Sequence, residues 1–163
     1  MRVLGIDPSL KSTGYGIIEY SQGHYRTIIY GAIKPSQKLL LHHKINEIRI
    51  RVEELIRTFK PDEVAIENLF YARNVKTAIT LGQVRGAVLV AVASSSCAFF
   101  EYSPLEIKKA VTSYGQADKM QVKVMIKTLL DIQDDKIGTD ASDALAVAFC
   151  HMNSRIFQQR ITE

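Results

Sequence analysis

Cysteine is scarce. Cys97 and Cys150 are the only two; both sit in apolar surroundings, away from any metal-like spacing, which predicts buried thiols and no disulfide or zinc centre. His24, His42, His43 and His151 have no partner spacing, so no role is read from them. Long hydrophobic runs are missing as well. Uninterrupted apolar stretches reach only seven residues, as in 87–93, whereas a bilayer span needs about 20. The chain opens on a strand, without the basic start and long apolar middle of a secretion signal. A cytoplasmic protein without a membrane segment is therefore expected. No internal repeat, linker or low-complexity tract divides the 163 residues, which predicts one domain with a proper core.

Excess charge is modest, at +4 overall, but it is unevenly placed. Residues 73–127 hold eight bases (Arg73, Lys76, Arg85, Lys108, Lys109, Lys119, Lys123, Lys127) against Glu101, Glu106 and Asp118. The last 36 residues reverse this, with six acids against three bases. A basic middle beside an acidic end suits a polyanion held next to a carboxylate cluster. Charge alone fits a solvated helical surface equally well.

The pattern along the chain predicts three antiparallel strands at 2–7, 13–20 and 24–34, the last two joined as a hairpin. A helix over about 37–60 follows, with Ile45, Ile48, Val52, Leu55 and Phe59 on one face. A short buried strand at 63–68 has the composition of a parallel strand. Residues 74–93 read as an apolar helix whose Gly82 and Gly86 lie one turn apart, which predicts close packing to offset a helix penalty of about 1 kcal/mol each. A fifth strand at 97–102, a short helix from Ser103-Pro104, a helix from Asp118 to about residue 130 and an apolar helix at 140–152 complete the set. The fold class is α/β: a five-stranded mixed sheet, three antiparallel strands and then parallel ones, flanked by helices. Residues 1–153 are expected to form the domain and 154–163 a flexible tail.

Two strands in this scheme end in acids. Asp7 closes the first, before a turn rich in Ser, Thr and Gly, and Glu67 closes the fourth. An Asp after a strand is commonly just a turn residue. If the two strands pair in parallel, however, both acids reach the carboxyl edge where ligands gather in such sheets. Asp140 and Asp143 share a face at the start of the last helix. Asp140 has an ordinary explanation as an acid at a helix N-terminus. Asp143 is followed by Ala-Leu-Ala-Val-Ala and belongs to a face that must be buried. Four converging carboxylates repel unless cations sit between them. Hard oxygen donors select Mg²⁺ or Mn²⁺ over zinc. Two such ions roughly 3.5–4 Å apart are the usual apparatus of phosphodiester hydrolysis.

With these residues in view, the sequence resembles the RuvC family of Holliday-junction resolvases, within the ribonuclease H-like superfamily. The resemblance spans roughly 1–152 and is carried by G-I-D-P, T-G-Y-G, A-I-E-N-L-F, L-G-Q-V-R-G and D-A-S-D-A-L-A in order. It implies a magnesium-dependent endonuclease that resolves four-way DNA junctions by paired symmetric nicks in recombination and repair. It also implies a homodimer that works with the branch-migration proteins RuvA and RuvB. Asp7, Glu67, Asp140 and Asp143 match the family's catalytic carboxylates, and Lys108 and Lys119 match two lysines near its active site. Phe70 matches the aromatic that intrudes at the junction crossover. Without the resemblance, the two lysines read as exposed helix residues and Phe70 as a staple of its loop. Arg73 and Lys76 suit phosphate contacts that position DNA without reading its sequence. Ser9 departs from the glycine usual after G-I-D-P, which raises the question of the turn's conformation. Other readings are a ribonuclease H-like nuclease acting on RNA or RNA–DNA hybrid, a non-catalytic junction-binding module, and an actin-like ATPase, for which the chain is too short. The apolar helix at 74–93 is the candidate dimer interface.

Overall fold

The computed structural model describes residues 1–68 and 74–162. Strands β1 (Arg2–Asp7), β2 (Thr13–Ser21) and β3 (His24–Ile33) form an antiparallel meander. After helix α1 (Leu41–Phe59), strand β4 (Glu63–Glu67) pairs parallel to β1. After helix α2 (Val75–Ala93), strand β5 (Ala98–Tyr102) pairs parallel to β4. Helices α3 (Pro104–Thr112), α4 (Lys119–Leu129) and α5 (Thr139–Thr162) follow, and the sheet order is β3-β2-β1-β4-β5. The mixed sheet expected from the strand pattern is thus present.

Strand alternation sorts the core into two layers. Leu4, Ile6, Val64 and Ile66 face α1 and α2, packing with Ile48, Val52, Val84 and Val88. Val3 and Ala65 face the other way, with Leu145, Ala148 and Phe149 of α5. Helix α5 lies directly on the strands because the backbone beneath it has no side chains in the way. A Cβ on Gly5 would stand 2.1 Å from the Ala144 carbonyl oxygen, and one on Gly14 would stand 1.9 Å from that of Asp140.

Three expectations change. Helix α1 begins at Leu41, later than read, because the Ser36 hydroxyl accepts from the Lys38 N–H (3.4 Å) and holds a turn there. Helix α5 runs on to Thr162 in place of a tail from Ser154. Two polar anchors that an apolar pattern does not register hold this extension, Tyr25 donating to Asn153 and Arg155 pairing with Glu63 at 2.9 Å, and Ile156 adds an apolar contact with the core. His151, read without a role, is fully buried, with Nε2 2.6 Å from Glu63 and Nδ1 2.7 Å from the Tyr102 hydroxyl. It ties α5 to β4 and β5, and burial pushes its pKa down against the pull of Glu63.

Among the described residues Gly82 and Gly86 do not pack closely either, since a Cβ at either would meet nothing within 4 Å. Helix α2 is long and apolar enough to cross a bilayer by length and composition alone. Val84, Val88, Ala91 and Val92 instead fill the core. Its opposite side leaves Val75, Ile79 and Val90 more than half exposed, in line with the two glycines.

Candidate active site

The four acids come from three elements. Ile6 is paired with Ile66 across the parallel β1–β4 ladder, so Asp7 and Glu67 are the next residues on each strand. Alternation turns both away from α1 and α2, towards α5. On the other side of β1, Asp7 pairs with Gly14, over which the Asp140 backbone sits. Asp140 and Asp143 occupy the start of α5, and the Ser12 hydroxyl donates to Asp140. Ser9 is not among the residues with positive φ, and Thr13 closes its turn: Thr13 Oγ1 donates to the Ser9 carbonyl at 2.6 Å and accepts from its N–H at 3.1 Å. The loop therefore needs no glycine at this position.

The charges interact. Asp7 is raised from 3.8 to about 7, first by burial and then by Glu67, Asp143 and Asp140, with Lys119 opposing. Glu67 is raised by burial and by Asp143, with Lys119 and Lys108 opposing. Lys119 lies 3.1 Å from Asp143 and is raised chiefly by it. Its position follows from local sequence. Asp118 accepts from the Gln121 N–H (2.8 Å) and Gln121 returns the bond to the Asp118 N–H (2.9 Å), a capping box that fixes the first turn of α4. Ser103 and Glu106 do the same for α3, which carries Lys108. Lys108 and Lys119 line a small cleft of about 70 Å³ with Glu67 and Asp143.

The structure thus brings Asp7, Glu67, Asp140, Asp143, Lys108 and Lys119 to one edge of the sheet. Lys76 stands exposed in the first turn of α2, outside the cleft. Phe70 and Arg73 lie outside the described residues. Sequence reasoning missed Ser12, whose signal was its place in the Ser/Thr-rich turn after β1. It also missed Asn68, which follows Glu67 and is bonded to Arg85 and Glu101.

The donor set fits a hard divalent cation. Mutual repulsion among Asp7, Glu67, Asp140 and Asp143 raises the cost of full ionisation, and a bound cation removes that cost. Among the described residues no three acids or imidazoles form a closed metal cage as they stand. Lys119 carries part of the compensating charge.

Comparison with known proteins agrees with this geometry. The family model described as crossover junction endodeoxyribonuclease RuvC matches residues 3–151. The RuvC of Alkaliphilus metalliredigens is 44% identical over 158 residues, covering 97% of this chain and 96% of that protein. That of Caldanaerobacter subterraneus is 42% identical over 161 residues, covering 99% and 98%. Thermus thermophilus RuvC, solved with a Holliday junction substrate, superposes with a TM-score of 0.89 at 30% identity over 96% of each chain. The yeast mitochondrial Holliday junction resolvase Ydc2 shares the fold, with a TM-score of 0.68 at 15% identity. Two core layers around a mixed sheet, acids at the carboxyl ends of two parallel strands and a near full-length match place this chain in the RuvC family of crossover junction endodeoxyribonucleases.

Proposed function

We propose that this chain is a structure-selective endonuclease that resolves four-way DNA junctions in the cytoplasm, by paired symmetric nicks during recombination and repair. The observation that carries this reading is the convergence of acids from β1, β4 and α5 beside two lysines. Asp7, Glu67, Asp140 and Asp143 would hold the metal, Mg²⁺ with Mn²⁺ as a substitute, two ions per site. Cations held there would supply the chemistry of phosphodiester hydrolysis, activation of the attacking water and stabilisation of the leaving 3′ oxygen. Asp7 and Glu67, on neighbouring strands, fix the near wall of the site. Asp140 is oriented by the Ser12 hydroxyl, and Asp143 by the Lys119 ammonium. Lys108 and Lys119 line the cleft, where Lys108, and Lys119 beside its Asp143 partner, would hold non-bridging oxygens of the scissile phosphate. Lys76 and Arg73 would contact phosphates further along the arm, and Phe70 would stack on a base at the crossover, a contact contributing about 1–3 kcal/mol.

Two symmetric nicks need two sites, and a homodimer supplies them. The exposed apolar stripe of Val75, Ile79, Gly82, Gly86 and Val90 on α2 supports an interface there. The wild-type chain is expected to sediment at twice its 18.3 kDa. Ile79→Asp, which leaves the core untouched, is expected to sediment as a folded monomer. A monomeric wild type, or a dimeric Ile79→Asp variant, contradicts this interface. RuvA and RuvB are the expected branch-migration partners.

The direct test incubates labelled four-way junction, linear duplex and RNA–DNA hybrid with the protein, in Mg²⁺ and in chelator. Symmetric nicks confined to the junction and abolished by chelator are expected. Cutting of the hybrid would move the chain to another ribonuclease H-like branch with the same carboxylate chemistry. Binding without cutting would make it a junction-binding module.

A further inference from the structure

Glu67 reaches the carboxylate site from one face of the sheet, and the residue after it is held from the other. Alternation along the strand points Glu67 towards α5 and returns Asn68 towards α2. There the Arg85 guanidinium, on the core side of α2, pairs with Glu101 of β5. Arg85 Nη1 donates to the Asn68 side-chain oxygen at 3.3 Å, and Asn68 Nδ2 donates to Glu101 at 3.5 Å. The Asn68 N–H also donates to the Tyr102 carbonyl at 2.8 Å, so its main chain is fixed to β5 as well. Each side chain of the triangle satisfies the other two. The Arg85 and Glu101 side chains are only 26% and 35% exposed, enough shielding for the pair to hold its geometry.

We propose that Arg85 and Glu101 are positioning residues that set the direction of Glu67 through Asn68. The inference rests on the reading of Glu67 as a metal ligand. Without the clamp, the end of β4 loses its tether on the α2 side, and the Glu67 carboxylate samples directions away from Asp7 and Asp143. Outer groups that orient a metal ligand typically change metal affinity or activity by about 10–100-fold.

The test measures Mn²⁺ affinity of the full chain without DNA, by the electron paramagnetic resonance signal of free Mn²⁺, beside junction cleavage at limiting and saturating Mn²⁺. Arg85→Gln is expected to weaken Mn²⁺ binding by about tenfold, with junction affinity unchanged. Asn68→Ala, which leaves the Arg85–Glu101 pair intact, is expected to do the same, and it decides the matter should Arg85→Gln fail to fold. The exchange R85E/E101R is expected to restore affinity to within about threefold, because the Asn68 amide can turn over to serve the reversed pair. Wild-type Mn²⁺ affinity in folded Arg85→Gln or Asn68→Ala overturns the proposal, as does a folded exchange variant that restores nothing. A wild-type chain that binds Mn²⁺ yet leaves junctions uncut refutes the nuclease reading, while the Mn²⁺ affinities still decide the clamp.

Discussion

Asp7→Asn is expected to cut junction cleavage by on the order of 10³-fold or more while leaving junction binding within about threefold of wild type. Asn keeps the size and one oxygen of Asp7 but loses the charge that a cation needs between β1 and β4. Lys76, Lys108 and Lys119 remain, so the electrostatic attraction to DNA is kept. Glu67→Gln and Asp143→Asn are expected to behave alike. Retained cleavage by any of the three in Mg²⁺ at pH 8 would contradict the proposed ligand set.

The same residue gives a pH signature. Asp7 titrates near 7 in the metal-free fold, against 3.8 ordinarily. Below about pH 7 the proton competes with metal, so apparent Mg²⁺ affinity should fall about tenfold per pH unit and level off above it. The stability effect follows from the raised pKa: the folded state keeps a proton that the unfolded chain releases. This group's favourable contribution is fully present below about pH 4 and is lost as pH rises through about 7. In chelator, Asp7→Asn should therefore melt above wild type at pH 8 and lose that advantage at pH 4. Parallel melting curves at the two pH values would show that the acids do not interact as described.

Gly5→Ala is expected to produce a large loss of stability for a single methyl addition in the sheet. The new Cβ would stand 2.1 Å from the Ala144 carbonyl oxygen and 2.6 Å from the Ala148 nitrogen. Both are backbone atoms of α5, so relief requires the helix to lift from β1. Overpacking of this kind costs about 1–3 kcal/mol, with backbone clashes at the upper end. At roughly 2–4 °C per kcal/mol for a chain of this size, the melting temperature should fall by up to about 10 °C. Cleavage should fall as well, because α5 carries Asp140 and Asp143. An unchanged melting temperature would mean that α5 does not rest on Gly5.

The layering of this protein is written in local sequence. Apolar alternation in R-V-L-G-I-D and E-V-A-I-E specifies strands, their buried faces and the acids at their ends. Ser103, Asp118 and their partners three residues on specify where α3 and α4 begin. These signals act within a few residues, so they are readable without a fold. Tertiary structure alone decides which acids meet. Parallel β1–β4 pairing sets Asp7 beside Glu67, and the bare backbone at Gly5 and Gly14 lets α5 bring two more acids over them. The same dependence explains the missed features. His151 finds Glu63 from 88 residues away, the end of α5 is held by Tyr25 and Glu63, and Arg85 turns inward to Asn68 and Glu101. Each is a polar contact between segments far apart in the chain. Composition and periodicity record what a residue is and which face it shares; which distant partner satisfies it depends on how the layers pack.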